Sequence, residues 1–438
     1  RIRWWRRCGR RILESSTTVH ATPHHAGGHA KPVRLHFIMI CVFIDMLGVG
    51  LALPVLPVLV GQYVEGRDLQ AHWYGIMVMV FGLCQFFCMP VLGALSDKVG
   101  RRPVMLFSMF GMAINFFATA LATNLAMLFI GRVIGGMSAA SVSVANAYVS
   151  DVTTHETRAR AFGMIGATFG MGFIFGPILG GFLGNIDLHL PFYVAAGLCV
   201  ANFIFGYFFV PESLPRERRN AFSWVRANPF AAIVGLARRV EIRGLVAVFA
   251  LSSLAQILLH TTWVLYTTFR FGWGPLENGV SLFAVGVTAA VVQAGLLGWL
   301  MKTFGEVRLS LLGLISGGIV YALYGLATQG WMMYVFIGIN MLAYGAGPAL
   351  QAIVSKQTDP KEQGALMGSL QSISSVAVII GPLIGASLLA AVSHYPAGDF
   401  RIGTVFFVCA LLNFGAVYLA WRYFRSHAIF ASHTRKHG

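Results

Sequence analysis

Twelve apolar runs succeed one another along this 438-residue chain, at about 35–60, 73–95, 103–123, 125–149, 160–184, 190–210, 244–269, 278–301, 307–327, 331–354, 365–392 and 400–423. Each is long enough to cross a bilayer as a helix. The longest hydrophilic connection, 211–243, separates six runs from six and carries Arg216, Arg218, Arg219, Arg226, Arg238, Arg239 and Arg243. Only 11% of the residues are charged, against about 25% in soluble domains, so the chain reads as an integral membrane protein. In hydrocarbon every backbone polar group must be bonded within its own segment or barrel, and runs of this length dictate helices. The expected fold is all-α, with twelve transmembrane helices in two six-helix bundles. Its parts are an N-terminal arm at 1–34, a bundle at 35–210, a central loop at 211–243, a second bundle at 244–424 and a tail at 425–438. Fifty glycines suit the close helix contacts that replace the hydrophobic effect as the packing driver in lipid.

A net charge of +16 would suggest nucleic acid as the partner of a soluble protein. Here the bases sort by loop parity, which excludes that reading: 28 of the 32 Lys and Arg fall in the termini and even-numbered loops. Arg67, Arg270 and Arg401 lie in odd-numbered loops, and Arg132 lies inside a span. By the positive-inside rule both termini and the strip at 93–102 face the cytoplasm. The arm is Arg-rich and then His-rich (His20, His24, His25, His29) and has no apolar core followed by a small-residue cleavage site. It is expected to be a disordered cytoplasmic segment touching anionic lipid, with metal binding by its histidines the alternative. The six cysteines fall mainly inside apolar runs, and Cys84 and Cys88, which share a helix face, have no His or acid near them in sequence. Neither a disulfide framework nor a metal site is expected.

The strip GALSDKVGRRPVML at 93–106 is compact enough to be only a tight hairpin at one membrane face. It holds Gly93, Asp97, Lys98, Gly100, Arg101 and Arg102. A worn copy, GWLMKTFGE, stands at 298–306, with Lys302 in the place of Asp97. Phe129-Ile130-Gly131 recurs as Phe336-Ile337-Gly338, and Gly176-Pro177-Ile178-Leu179-Gly180 recurs as Gly381-Pro382-Leu383-Ile384-Gly385. Such internal repeats mark transporters built from two halves. The second half is expected to keep the architecture, lose much of the charge chemistry, and serve mostly as cavity wall.

Asp45 lies about ten residues into the first span, roughly 15 Å from its start. A carboxylate at that depth costs on the order of 2.5–3.5 kcal/mol, so it either carries function or pins a neighbouring helix. Arg132, the one base inside a span, is the expected partner. A coupling site requires the two to separate in one conformation, so that the acid can load a proton. The reading is therefore Asp45 as proton carrier and Arg132 as its switchable counter-ion. Further along helix 1, Gly48, Gly50, Pro54 and Pro57 interrupt the backbone ladder and are expected to let it bend. Gly172, Gly176 and Gly180 form a stripe on helix 5, with Pro177 beside it. Candidate cavity groups are Gln85, Asn146, Gln256, His260, Trp263, Gln293, Asn340 and Gln351, with Tyr266 and Tyr344. Asp97 is expected to cap the start of helix 11 near 364–370, and Arg101 to pair with Asp151; broken together, these contacts would release a cytoplasmic gate formed with Gly93 and Gly100.

The strip resembles the loop between helices 2 and 3 of major facilitator superfamily transporters. GRVIGG around Arg132 is similar to that superfamily's R-x-x-x-G motif, whose arginine is implicated in proton transfer. Asp45 with GVGLALPVLP resembles the helix 1 signature of drug:proton antiporters, and the helix 5 motif G-x-x-x-G-P-x-x-G-G resembles that of exporters. FIDMLGVGLALPVLPVL, FGPILGGFLG, FGEVRLSLLG with ATQGWM, and PALQAIVSKQ resemble the tetracycline efflux branch across nearly the whole membrane region. That branch exports a tetracycline–divalent cation chelate in exchange for a proton. Three positions depart from it: Asn115 and Gly317 stand where its members carry acids in helices 3 and 9, and Ala289 where some carry a histidine in helix 8.

The resemblance implies a proton-coupled antiporter of the inner membrane that expels tetracycline or a related lipophilic drug. The alternative is a broader multidrug or metabolite exporter that does not carry tetracycline. It implies no cofactor beyond the proton gradient, no nucleic-acid partner, and function as a monomer. No nucleophile–base constellation or phosphate-binding loop is present, so an enzyme or ATP-driven pump is not expected. An uptake symporter would differ in accumulating its substrate, and a receptor in moving no protons.

Overall fold

Glycine and proline set where these helices stop and bend. The computed structural model describes residues 32–222, 224, 243–356 and 363–426, with the side chains of 32–34, 155, 159 and 363–369 outside that description. The histidines of the arm, Arg226, Arg238, Arg239 and most of the tail therefore lie outside the described residues. Those described form α1 (Pro32–Ala52), α2 (Leu56–Gly61), α3 (Arg67–Val99), α4 (Arg101–Ala120), α5 (Leu125–Ser138), α6 (Ser141–Val152), α7 (His155–Ile186) and α8 (Leu190–Phe209). They continue as α9 (Arg243–Phe271), α10 (Pro275–Ala290), α11 (Leu297–Leu326), α12 (Gly330–Ile339), α13 (Met341–Lys356), α14 (Gln363–Val392) and α15 (Thr404–Ser426).

Ten stretches are long and apolar enough to cross a membrane, and the pair α12–α13, bent by 44°, makes an eleventh. One of the ten, Pro275–Leu326, has 52 residues. At 1.5 Å per residue that is about 78 Å of helix, more than twice a hydrocarbon core of about 30 Å. It divides at Gly305, whose φ of 71° is not helical. Counted as two crossings, it completes twelve.

Three crossings are broken, the first where the sequence removes a backbone bond. Between α1 and α2 the chain turns through Leu53–Val55, where Pro54 has no N–H to give; the Leu53 and Val55 N–H groups reach back to the Gly50 and Ala52 carbonyls at 3.3 Å each. Pro57 lies in the first turn of α2, where a missing donor costs nothing. The fourth crossing breaks between Ser138 and Ser141, and the tenth at Asn340. The eighth carries a single π turn at Val291–Leu296.

In the first half α1 packs on α7 and α8, and α4 on α5 and α8; in the second, α9 packs on α14 and α15, and α11 on α13 and α15. The α1–α7 seam is as tight as backbones allow. A Cβ on Gly50 would lie 2.7 Å from the Gly176 Cα, and one on Gly172 would lie 2.7 Å from the Met46 Cβ. Gly180 faces the Leu51 carbonyl, and the Pro177 ring lies against Gly50. Gly48 is looser, 3.5 Å from Phe116 by the same measure.

The two bundles meet at the end where α3 begins and α14 finishes. There a Cβ on Gly75 would lie 3.0 Å from the Pro382 carbonyl, one on Gly82 3.0 Å from Val378, and one on Gly181 3.0 Å from the Gly279 Cα. The Arg67 guanidinium also lies 5.6 Å over the Phe269 ring, joining the bundles through a cation–π contact. At the opposite end, Gly93 on α3, Gly163, Gly166 and Gly170 on α7, and Gly298 on α11 have no atoms within 4 Å of where a Cβ would stand. Among the described residues, the bundles touch at the first end, and these glycines face open space at the other.

This seam predicts an asymmetric response to added side chains. Gly176→Val should destabilise by about 1–3 kcal/mol through overpacking, lowering the melting temperature of detergent-purified protein. Gly170→Val, facing open space, should leave it unchanged. Equal effects would refute the packing.

Candidate functional site

The hairpin between α3 and α4 turns on Gly100, whose φ of 113° favours glycine. This places Arg101 at the first position of α4 with its side chain directed inward. Its Nη1 lies 2.7 Å from Asp97 Oδ1 and its Nε 3.0 Å from Asp151 Oδ2 on α6. Nη1 also donates to Ser96 Oγ at 2.6 Å. Ser213 Oγ donates to the same Asp151 oxygen at 3.0 Å. Arg101 and Asp151 thus meet, as the sequence suggests. The contact from Asp97 to the start of α14 concerns side chains outside the description; in this conformation the Asp97 carboxylate engages Arg101.

Glu212, which no sequence motif singles out, completes this node. Its Oε1 accepts from the Arg101 N–H at 2.8 Å and from the Ser213 and Leu214 N–H groups at 3.0 and 3.1 Å. Its Oε2 accepts from the Arg102 N–H at 3.3 Å. A carboxylate here satisfies free N–H groups at the α4 N-terminus, where the helix dipole favours negative charge. The start of the central loop is thereby fastened to the hairpin.

The worn copy is less worn than expected. Gly305 lies 205 positions after Gly100 and shares its positive φ, at 71°. Glu306 lies 205 after Arg101 and Lys356 lies 205 after Asp151, and Lys356 Nζ is 2.6 Å from Glu306 Oε1. The second half keeps the ion pair with its signs exchanged. The expected loss of much of the charge chemistry is corrected at the hairpin alone, where a pair needs only opposite charges; the positions 205 after Asp45 and Arg132 are the neutral Ala250 and Ile337.

Deeper in the first half, Asp45 is 6% exposed. Its Oδ1 accepts from Asn202 Nδ2 on α8 at 2.8 Å, and the same amide donates to the Cys41 carbonyl at 3.0 Å. The Ser141 hydroxyl lies beside it, and Oδ2 has no hydrogen-bond partner among the described residues. Arg132, 9% exposed, lies between Tyr74 and Phe81 of α3, its Cζ 5.7 Å from the Phe81 ring centroid. Its Nε and Nη2 are likewise without partners among the described residues. The expected Asp45–Arg132 pair is not formed in this conformation. The reason is architectural: α5 packs on α3 and α4, whereas α1 packs on α7 and α8.

Asp45 borders a cavity of about 650 Å³ between the bundles, within the range of small-molecule sites. Phe169 and Phe173 of α7, stacked at 6.1 Å, form one wall. Gln371, Ser374 and Ser375 of α14 contribute another, with Gln85, Ser141 and Ser143 nearby and Gly93 toward the open end. Of the expected cavity groups only Gln85 borders this space. Asn146 is half-buried on α6; Gln256 and His260 are exposed on α9, Gln293 in the π turn and Gln351 on α13. Asn340 is buried at the α12–α13 bend. Trp263 is corrected to a packing residue: it is 3% exposed, its indole N–H donates to Ser281 Oγ at 3.0 Å, and its ring meets Tyr324 and Phe406 edge-on. Tyr266 is fully buried with its hydroxyl on the Tyr324 carbonyl, and Tyr344 is half-buried. Asn202, a polar side chain within the apolar run of α8, was the available signal for Asp45's partner.

Known proteins match this architecture. The family model described as Major Facilitator Superfamily matches residues 38–347 and 289–436. The class C tetracycline resistance protein of Escherichia coli is 39% identical over 80% of this chain and 88% of its own length. Multidrug resistance protein 2 of Bacillus subtilis is 28% identical over 81% and 88%. The crystal structure of the human organic anion transporter MFSD10 (TETRAN) superposes with a TM-score of 0.65 at 25% identity, covering 89% of this chain and 99% of that one. The chain belongs to the major facilitator superfamily, in the branch that holds the tetracycline resistance proteins.

Proposed function

We propose that this protein is a proton-coupled efflux antiporter of the cytoplasmic membrane, exporting tetracycline or a related lipophilic drug, and not an enzyme. One observation carries the reading: Asp45, the one buried carboxylate among the described residues, borders a cavity between bundles that, among those residues, touch at one membrane end and face open space at the other. The distribution of Lys and Arg makes the open end cytoplasmic, with both termini on that side. Cargo enters from the cytoplasm, and rocking of the two bundles exposes it outside. Asp45 carries the proton; in the conformation described it is held by Asn202, and Arg132 becomes its counter-ion in another. The driving force is about 2.3 kcal/mol per charge per 100 mV together with the pH gradient. The protein works as a monomer without a bound cofactor, and 211–243 links the bundles. Asn115 and Gly317, neutral where the resemblance implies acids, favour as second reading a multidrug exporter that does not carry tetracycline.

Susceptibility testing of cells with and without the protein separates these readings. Expression should raise the inhibitory concentration of tetracycline, and Asp45→Asn should return it to the level of cells lacking the protein. Protection against other lipophilic drugs alone would select the second reading. Retained proton-driven export by Asp45→Asn would remove Asp45 from coupling.

The two hairpin pairs should differ in weight. Arg101 is 11% exposed at its side chain and Lys356 is 70% exposed. Arg101→Ala leaves two acids without their base and should cost about 3 kcal/mol of stability; Lys356→Ala should cost at most about 1 kcal/mol. Asp97→Asn should slow turnover while the amount of protein in the membrane is unchanged. Thermal unfolding and transport in proteoliposomes measure these outcomes, and loss of insertion with Asp97→Asn would make the hairpin a topological element only.

A further inference from the structure

The cavity's two long walls differ in chemistry in a way the internal repeat makes visible. Ser374 lies 205 positions after Phe169, and Val378 lies 205 after Phe173. The repeat that relates α7 to α14 therefore sets a stacked aromatic pair on one wall against a hydroxyl and amide face on the other. Gln371, Ser374, Ser375 and Val378 have i, i+3, i+4, i+7 spacing, one face of a helix, and all four border the cavity. One turn beyond this polar face, Val378 closes against Gly82.

The serines are arranged to accept. Ser375 Oγ donates to the Gln371 carbonyl at 3.0 Å, and Ser374 Oγ to the Leu370 carbonyl at 3.4 Å. Ser375 spends its hydrogen on its own helix and keeps lone pairs for the cavity, Ser374 does so through a longer contact, and the Gln371 amide offers both donor and acceptor. Asp45 Oδ2, buried, unpartnered among the described residues and bordering the same space, adds a further acceptor. A ligand that satisfies this set carries O–H or N–H donors along one edge and an apolar ring face on the other side.

We propose that Gln371, Ser374 and Ser375 form the specificity-determining wall of the binding site. The cargo's donor-bearing edge docks on α14 and its apolar face lies against Phe169 and Phe173. This rests on the efflux reading and names the residues that read the cargo. The selectivity comes from the asymmetry: an edge rich in donors is recognised by α14, whereas any lipophilic ring is accepted by α7.

The test compares two probes on full-length protein in lipid nanodiscs. Tetracycline has a donor-rich edge; tetraphenylphosphonium is a lipophilic cation with no hydrogen-bonding group. Ser374→Ala/Ser375→Ala should weaken tetracycline binding about tenfold, the loss of one to two hydrogen bonds, and leave tetraphenylphosphonium binding within about twofold. Ser374→Thr, which keeps the hydroxyl, should retain affinity, and Phe169→Ala should weaken both probes. Equal losses for the two probes in the serine variant, or no loss of tetracycline, would overturn the proposal while leaving efflux intact. Wild-type protein that binds neither probe, in cells whose drug susceptibility it does not change, would overturn the efflux reading and this proposal with it.

Discussion

The seam between α1 and α7 fixes the positions of the acid, the cavity wall and the closed end of the molecule. In lipid there is no hydrophobic gain from bringing two helices together, so contact must come from dispersion at short range. Gly50 and Gly176 permit that range by carrying no Cβ. Once α1 is seated on α7, its opposite side meets α8, and Asp45 comes within 2.8 Å of the Asn202 amide. The same helix α7 turns Phe169 and Phe173 toward the cavity and lays Gly181 against Gly279 of α10. One glycine-lined helix thus holds the acid in place, supplies a binding wall and joins the bundles at their closed end.

The hairpin node works at another scale. Arg101 gathers Asp97, Asp151 and Ser96, and Glu212 fastens the beginning of the central loop to the same turn. All of these contacts lie within the first half and its exit, and they are intact while the cavity is open at this end. Among the described residues they therefore brace one bundle, so that it moves as a unit; the contact from Asp97 to the start of α14 lies outside that description. Closure at the far end is carried by Gly75, Gly82 and the Arg67–Phe269 contact.

Much of this was legible from residues alone, for physical reasons. Twelve crossings derive from bilayer thickness, their division into six and six from the long basic connection at 211–243, and Pro54 marks the break in helix 1. The depth of Asp45 along the chain implied its burial, since apolar sequence surrounds it on both sides. Direction around a helix, by contrast, was hidden. Trp263 and Gln85 looked alike as cavity candidates, yet one packs against Tyr324 and the other borders open space. Asp45 and Arg132 pair on sequence grounds because each is the lone charge of its sign in a span, but pairing depends on which helices adjoin. Ser374 and Ser375 were hidden because hydroxyls are common in membrane helices and signal nothing until a cavity is seen beside them.

Gly100 and Gly305 keep the same left-handed backbone across the two halves, while the charges next to them have changed places. The turn therefore constrains geometry, and the ion pair constrains only the product of two charges. Either order of acid and base is a solution, but passing from one to the other by single substitutions means crossing a form in which the pair is broken, with either two like charges or one unpaired charge at the turn. Each half of the molecule is in this sense locked into its own sign. The turn accepts either order, so the signs of the two halves need not agree.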